Sequence, residues 1–152
     1  MIYDLIILGG GPAGYLAAER AGHAGLSVLL FEERTVGGVC LNEGCIPTKT
    51  LLYSAKIFDN ARNGEKYGVK AENLTIDHEA VVKRKDKVVK VVVSGVKSSL
   101  KSNGVMVINE RARISGKGPD GYKVSGSNET FDGRLLLIAT GSSPAVPPIP
   151  GL

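Results

Sequence analysis

Two cysteines, a lysine, a run of glycines and one acidic residue are the parts of this sequence that could do chemistry. Cys40 and Cys45 stand five positions apart in Gly37-Gly38-Val39-Cys40-Leu41-Asn42-Glu43-Gly44-Cys45-Ile46-Pro47-Thr48-Lys49. Positions five apart on a regular helix lie on different faces, too distant for an unstrained disulfide, so the intervening backbone must be irregular if the thiols pair. Asn42 and Gly44 are residue types that tolerate such a backbone. Pro47 suits the first turn of a regular helix running on through Lys49 and Leu52. Cys45 then falls near a helix N-terminus, where the dipole and free N–H groups favour a thiolate, with the Lys49 cation one turn later. An accessible dithiol beside a cation is what thiol exchange requires. The alternatives are a zinc site or two buried thiols. The sequence has two cysteines and two histidines, and His23 and His78 fall in separate predicted helices, so no metal site is expected. Bracing alone is a weak reason for the pair, because closing so short a loop contributes only about 2 kcal/mol.

A second group begins at Gly9-Gly10-Gly11-Pro12-Ala13-Gly14, which matches Gly-x-Gly-x-x-Gly. Gly9 permits a tight turn, Gly11 lets the backbone approach a pyrophosphate, and Gly14 lets a helix pack close to the preceding strand. Phosphates would meet the free N–H groups at the start of the helix beginning near Pro12 and Ala13. Glu32 lies 18 positions beyond Gly14, at the end of the next apolar run. There its carboxylate can accept hydrogen bonds from adenosine ribose hydroxyls and would repel a 2′-phosphate. The alternative is an unliganded turn with Glu32 as a solvated strand end. FAD and NAD both carry an ADP half, so this motif does not separate them.

The elements that must position these groups follow from apolar periodicity. Tyr3 to Leu8, the glycine turn, Pro12 to Ala24 and Ser27 to Phe31 predict a βαβ unit of about thirty residues, with Gly25 ending the helix. Thr48 to Ala61 predicts a helix, and Ile76 to Ser102 a longer one despite its many valines. Val105 to Ile108 predicts a third parallel strand. Arg111 to Ser115, Tyr122 to Ser125 and Thr130 to Phe131 predict an antiparallel meander separated by turns at Gly116 to Gly121 and Gly126 to Asn128. Leu135 to Ala139 predicts a last buried strand that delivers Thr140 and Gly141 to its carboxyl end. Pro144, Pro147, Pro148 and Pro150 exclude helix or sheet interior beyond it.

A chain of 152 residues, 43% of them hydrophobic, can bury one core of ordinary size. No apolar run approaches the roughly 20 residues of a membrane helix, and no secretory leader is expected, which makes the cytoplasm the expected location. The net charge of +4 could suggest a nucleic-acid partner. The basic residues concentrate between Lys83 and Lys90 among valines, however, which suits a helix with a solvated face. No nucleic-acid and no membrane partner is expected.

The cysteine stretch resembles the redox motif of the pyridine-nucleotide disulfide oxidoreductases, flavoenzymes that include dihydrolipoamide dehydrogenase, glutathione reductase and mercuric reductase. Leu41-Asn42 and Gly44 to Lys49 are most similar to the dihydrolipoamide dehydrogenase branch. Val39 departs from the family's usual Thr beside the pyrophosphate. The resemblance extends over the whole chain to Ala139-Thr140-Gly141-Ser142, which is similar to the family's second FAD contact. It implies an α/β, Rossmann-like FAD-binding domain over residues 1–143, with a central parallel sheet and an antiparallel β-meander. Residues 144–152 would be a linker toward a nicotinamide-binding domain that this sequence does not contain, so the chain reads as a truncated or proteolysed segment. The resemblance further implies Cys40 as the interchange thiol, Cys45 as the thiolate against the flavin, and Lys49 beside the reactive edge of the ring. Gly38, Val39 and Ala112 would join Glu32 and the glycine turn in holding FAD, with Ala112 at the adenine. The implied reaction takes electrons from dihydrolipoamide, carried on a lipoyl domain of a 2-oxoacid dehydrogenase or glycine cleavage complex, to NAD. It belongs to cell redox homeostasis and needs a homodimer. The second glycine motif and the His-Glu base pair for full turnover are not in this sequence. The alternatives are a glutathione- or mercuric-reductase-like domain, or a stand-alone flavin-binding electron-transfer module.

Overall fold

A computed structural model describes residues 2–151 of the chain; Met1 and Leu152, the outer ends of the expected domain and linker, lie outside the described residues. Strand β1 (Ile2–Leu8) leads through the glycine turn into α1 (Pro12–His23), and β2 (Val28–Phe31) completes the βαβ unit. Two consecutive helices follow, α2 (Gly38–Asn42) and α3 (Cys45–Arg62), then a 3-10 turn at Gly64–Tyr67 and the long α4 (His78–Ser102). Strands β3 (Met106–Ile108), β4 (Arg113–Gly118), β5 (Gly121–Ser125) and β6 (Thr130–Ile138) complete one six-stranded sheet in the order β3-β2-β1-β6-β5-β4. β3, β2, β1 and β6 run parallel, and β4 and β5 turn back antiparallel on the β6 side. The expected Rossmann-like sheet with a meander is therefore what the chain forms.

Alternation along β1 builds two cores. Ile7 points to the helices, where it meets Val28, Leu30, Ala18 of α1 and Val93 and Leu100 of α4. Ile6 and Leu8 point to the opposite face and pack with Leu29, Phe31 and Val124, a cluster that Tyr3 joins from the start of the strand. The Phe31 and Phe131 rings meet edge to face at 5.6 Å between centroids, an arrangement that aligns a ring's positive edge with its neighbour's negative face.

α4 forms although valine disfavours helices, because its apolar residues recur at helical spacing and bury one face. Asp77 caps it, its side chain accepting from the Ala80 N–H at 3.0 Å. The strands depart from expectation at β6. Thr130-Phe131 and Leu135–Ile138 are one continuous strand, bridged at Gly133, where a Cβ would stand 2.6 Å from Ile6 Cγ1. Glycine there marks close passage of the neighbouring strand rather than a turn. Leu136 and Leu137 enter the two cores, while Leu135 and Ile138 remain exposed instead of buried. Gly116, Gly118 and Gly121 likewise all lie within β4 and β5, leaving Pro119 and Asp120 as the turn.

Candidate redox and nucleotide site

Three segments distant in sequence converge at the carboxyl ends of β1 and β6. Gly9 adopts φ 101°, and a Cβ on it would lie 2.3 Å from the Ala139 carbonyl oxygen. A Cβ on Gly14 would stand 1.8 Å from the Gly9 carbonyl oxygen, so only glycine lets α1 start this close to β1. Gly38, at φ 58°, packs onto the same turn from α2, where its Cβ would meet Gly11 Cα at 2.8 Å. The Gly37 N–H donates to the Gly10 carbonyl at 2.7 Å and locks the two loops together.

Glu32 faces this turn: its Oε2 accepts from the Gly10 N–H and its Oε1 from the Arg34 N–H, both at 2.8 Å. α1 has no side-chain cap and no acidic residue in its first turn, so the helix itself supplies no counter-charge to its positive end, and the nearby Glu32 carboxylate is engaged by the Gly10 N–H instead. Backbone instead of side chains at Gly11 and Gly38, an uncapped helix and a fixed carboxylate fit a nucleotide diphosphate with its ribose. Thr140 and Gly141 follow β6 and are exposed beside the turn, with Gly141 at φ 71°. Ala112, expected within a strand, instead precedes β4 and is half-buried against the Phe31 and Phe131 core, leaving its backbone outside the β4–β5 ladder.

The cysteines are joined. Cys40 is the third residue of α2 and Cys45 the first of α3, and the break at Glu43 and Gly44 brings their Cα atoms to 4.6 Å. A disulfide needs about 4.4–6.8 Å between Cα atoms, which no continuous helix gives at this separation. The expected irregularity is thus a two-residue break rather than a loop, and α3 starts two residues before Pro47. Proline at the third helical position costs no hydrogen bond, since the first four helical N–H groups have no intrahelical acceptor. Cys45 is exposed, Cys40 half-buried, and Lys49 is exposed one turn into α3.

The sequence marks Asn42 only as a residue that tolerates an irregular backbone, and gives no sign of Glu43 or Arg84 as parts of this site. The Asn42 amide donates toward the carbonyls of Thr35, Val36 and Gly38. Glu43, between the cysteines, pairs with Arg34, whose backbone is tied to Glu32 and Asn109. Arg84 of α4 donates to the Thr50 carbonyl at 3.2 Å and lies over the Tyr53 ring, clamping α3 from a position 34 residues away that no local pattern reveals. Among the described residues no cluster of three or more His, Cys, Asp or Glu could hold a metal, and no helix is long and apolar enough to cross a membrane.

A parallel sheet with a glycine turn at its carboxyl edge, and a disulfide built onto that turn, defines a nucleotide-linked disulfide oxidoreductase domain. The chain belongs to the pyridine nucleotide-disulphide oxidoreductase family, whose model matches residues 3–152. It is 46% identical over 151 residues to a dihydrolipoyl dehydrogenase of Acholeplasma laidlawii, covering 99% of this chain and 44% of that protein. It is 44% identical to the dihydrolipoyl dehydrogenase of Mycoplasma genitalium, covering 99% of this chain and 32% of that one. A solved copper(II) complex of the HOCl-induced flavoprotein disulfide reductase RclA from Escherichia coli superposes with a TM-score of 0.74 at 29% identity, over 97% of this chain and 30% of that one. The chain thus spans less than half the length of these relatives.

Proposed function

We propose that this chain is the FAD-holding, redox-disulfide portion of a dihydrolipoamide dehydrogenase, an enzyme that oxidises dihydrolipoamide to lipoamide with NAD as acceptor. The carrying observation is the Cys40–Cys45 disulfide at the start of α3, packed through Gly37 and Gly38 onto the glycine turn. Backbone N–H groups at Gly11, Ala13 and Gly14 and the positive end of α1 hold the pyrophosphate, with Gly9 and Pro12 fixing the turn. Glu32 receives the ribose hydroxyls and Ala112 the adenine. Gly38, Val39, Ala139, Thr140 and Gly141 line the rest of the cofactor's path. FAD supplies a two-electron carrier between the dithiol and a nicotinamide.

The protein's own part is thiol exchange. A substrate thiolate attacks Cys40 Sγ, the Cys40–Cys45 bond breaks, and its electron pair leaves on Cys45 as a thiolate. The α3 dipole and Lys49 favour that charge. The second substrate thiol, once deprotonated, attacks the substrate sulfur bonded to Cys40, closes the lipoamide disulfide and frees Cys40. Two protons leave the substrate and two electrons remain on the cysteine pair. Lys49 would also place a cation near a bound flavin. NAD binding, homodimer contacts and docking of a lipoyl domain from a 2-oxoacid dehydrogenase or glycine cleavage complex are assigned to the full-length enzyme. In it residues 144–152 serve as the linker beyond residue 143. The cytoplasm is the proposed location, where a thiol pool keeps such a pair cycling.

The exposures favour a second assignment of the sulfurs, with Cys45 meeting substrate and Cys40 shielded. Alkylation of the reduced chain in the presence of FAD decides between them. Cys40 reacts first if the ring covers Cys45, and Cys45 reacts first under the reversed assignment. The cofactor claim is tested by titrating the chain with FAD while following flavin absorption and fluorescence. Saturable one-to-one binding is expected, weakened about tenfold, or ~1.4 kcal/mol, in Glu32→Gln. No binding in excess flavin contradicts the proposal.

A further inference from the structure

We infer that Asn42, between the two cysteines, is a positioning residue that sets how readily the Cys40–Cys45 disulfide is reduced. The inference rests on the redox reading of that pair. Asn42 Nδ2 stands 2.9 Å from the Gly38 carbonyl oxygen, 3.3 Å from that of Val36 and 3.4 Å from that of Thr35. Three carbonyl oxygens around one atom define the amide's orientation, because Oδ1 in that place would face only other acceptors. The side chain therefore fills the inside of the turn that carries the chain from Thr35 into α2.

That turn is unusual backbone. Gly37 and Gly38 are consecutive residues at φ 109° and φ 58°, and a Cβ on Gly37 would meet Leu41 Cβ at 2.8 Å and Asn42 Nδ2 at 3.3 Å. α2 itself is one short turn, with Leu41 N–H to Gly37 O at 3.4 Å and Glu43 N–H to Val39 O at 2.9 Å, and no side chain caps its start. A helix of five residues has no stability of its own in water. While the disulfide is closed, α2 is pinned to α3 at Cys45. When it opens, what holds Cys40 in place is the packing of Leu41 and the Asn42 amide, which staples the end of α2 back to its entry turn. That turn is in turn fixed to the glycine loop by the Gly37-to-Gly10 hydrogen bond at 2.7 Å.

The chemical consequence concerns the effective concentration of one thiol at the other. With α2 held, the opened sulfurs stay close together and reclosure is favoured. With α2 released, Cys40 wanders and the dithiol gains freedom that the disulfide denies it. Loss of the amide should therefore shift the equilibrium toward dithiol. The relevant reaction is exchange with glutathione, in which two glutathione thiols give two electrons and two protons to the Cys40–Cys45 bond and become one glutathione disulfide.

The experiment equilibrates the 152-residue chain in glutathione buffers of graded ratio and counts closed and open cysteine pairs by alkylation and mass. Asn42→Ala is expected to move the equilibrium about tenfold toward dithiol, a rise of about 30 mV for a two-electron couple. Asn42→Asp is expected to move it further at neutral pH, because a carboxylate would face the three carbonyls. Asn103→Ala is the matched control: its amide bonds the Ser99 carbonyl at the end of α4, far from the dithiol in sequence, and its removal should leave the equilibrium within twofold of the parent. Equal equilibria in the parent, Asn42→Ala and Asn42→Asp overturn the inference, as does an equal shift in Asn103→Ala. Hydrogen exchange on the reduced parent reads the same claim without substitution. Retained protection at the Leu41 and Glu43 amides supports it, and their collapse to the unprotected rate overturns it. A parent pair that never exchanges with glutathione or dithiothreitol refutes the redox reading itself, which separates that failure from this one.

Discussion

The glycine turn and the cysteine segment touch at Gly11 and Gly38, yet they keep their shapes by opposite means. At the turn, backbone approaches backbone so closely that side chains are excluded: Cβ atoms at Gly9 and Gly14 would lie 2.3 Å and 1.8 Å from carbonyl oxygens. At the cysteine segment the backbone is a broken pair of helices, and side chains hold it: the disulfide, the Asn42 amide, the Arg34–Glu43 pair and the Arg84 clamp. The difference separates two kinds of sensitivity. Changes at the turn act on folding, because nothing there can give way except main chain. Changes at the cysteines act on chemistry, because removing one side chain leaves the scaffold standing.

Gly14→Ala presents the largest test of this contrast. The added methyl cannot be accommodated without moving α1 off β1, so the variant should lose at least about 4 kcal/mol in urea denaturation or fail to fold. Stability near that of the parent would erase the distinction. Cys40→Ser and Cys45→Ser come next. Each should lower stability by no more than about 2 kcal/mol, the contribution of so short a closed loop, while abolishing the internal disulfide and its two-electron cycling and leaving one thiol able to form only mixed disulfides. Unfolding on loss of either sulfur would show the pair to be a structural brace instead.

The smallest effect lies away from both regions, where Asp4 joins β1 to the start of β2 and to β6. The Ser27 N–H at 2.9 Å, the Ser27 hydroxyl and Arg134 hold its carboxyl below the ordinary value of 3.8. A carboxyl held below its unfolded value stabilises the fold above that value and loses the contribution as pH falls through the folded one. The difference in Tm between the parent and Asp4→Asn should therefore be present at pH 6 and shrink below about pH 4. A difference that grows on acidification would contradict the assignment.

Much of this architecture was legible because its signals are local. Gly9 to Gly14, the apolar runs either side and Glu32 lie within about thirty residues, and each glycine has a steric reason visible in its spacing. The cysteine motif likewise announces a break between Cys40 and Cys45 with a helix after it, though not that a short helix, α2, would precede it. What escaped depends on neighbours far along the chain. Gly133 falls in the gap between the expected segments Thr130 to Phe131 and Leu135 to Ala139, because its need for glycine comes from Ile6, more than a hundred residues earlier. Leu135 and Ile138 carry the same apolar signal as buried residues, and only tertiary placement leaves them exposed. Arg84 reads as one more cation in a basic helix until α4 is laid against α3.

The central claim is that the dithiol is coupled to a flavin held at the glycine turn. It is tested most directly by the visible spectrum of the chain with FAD after addition of one two-electron equivalent of dithionite. The account predicts a long-wavelength band from a Cys45 thiolate against the oxidised ring, absent in Cys45→Ser. Bound FAD with no such band, or a band that persists in Cys45→Ser, would contradict it.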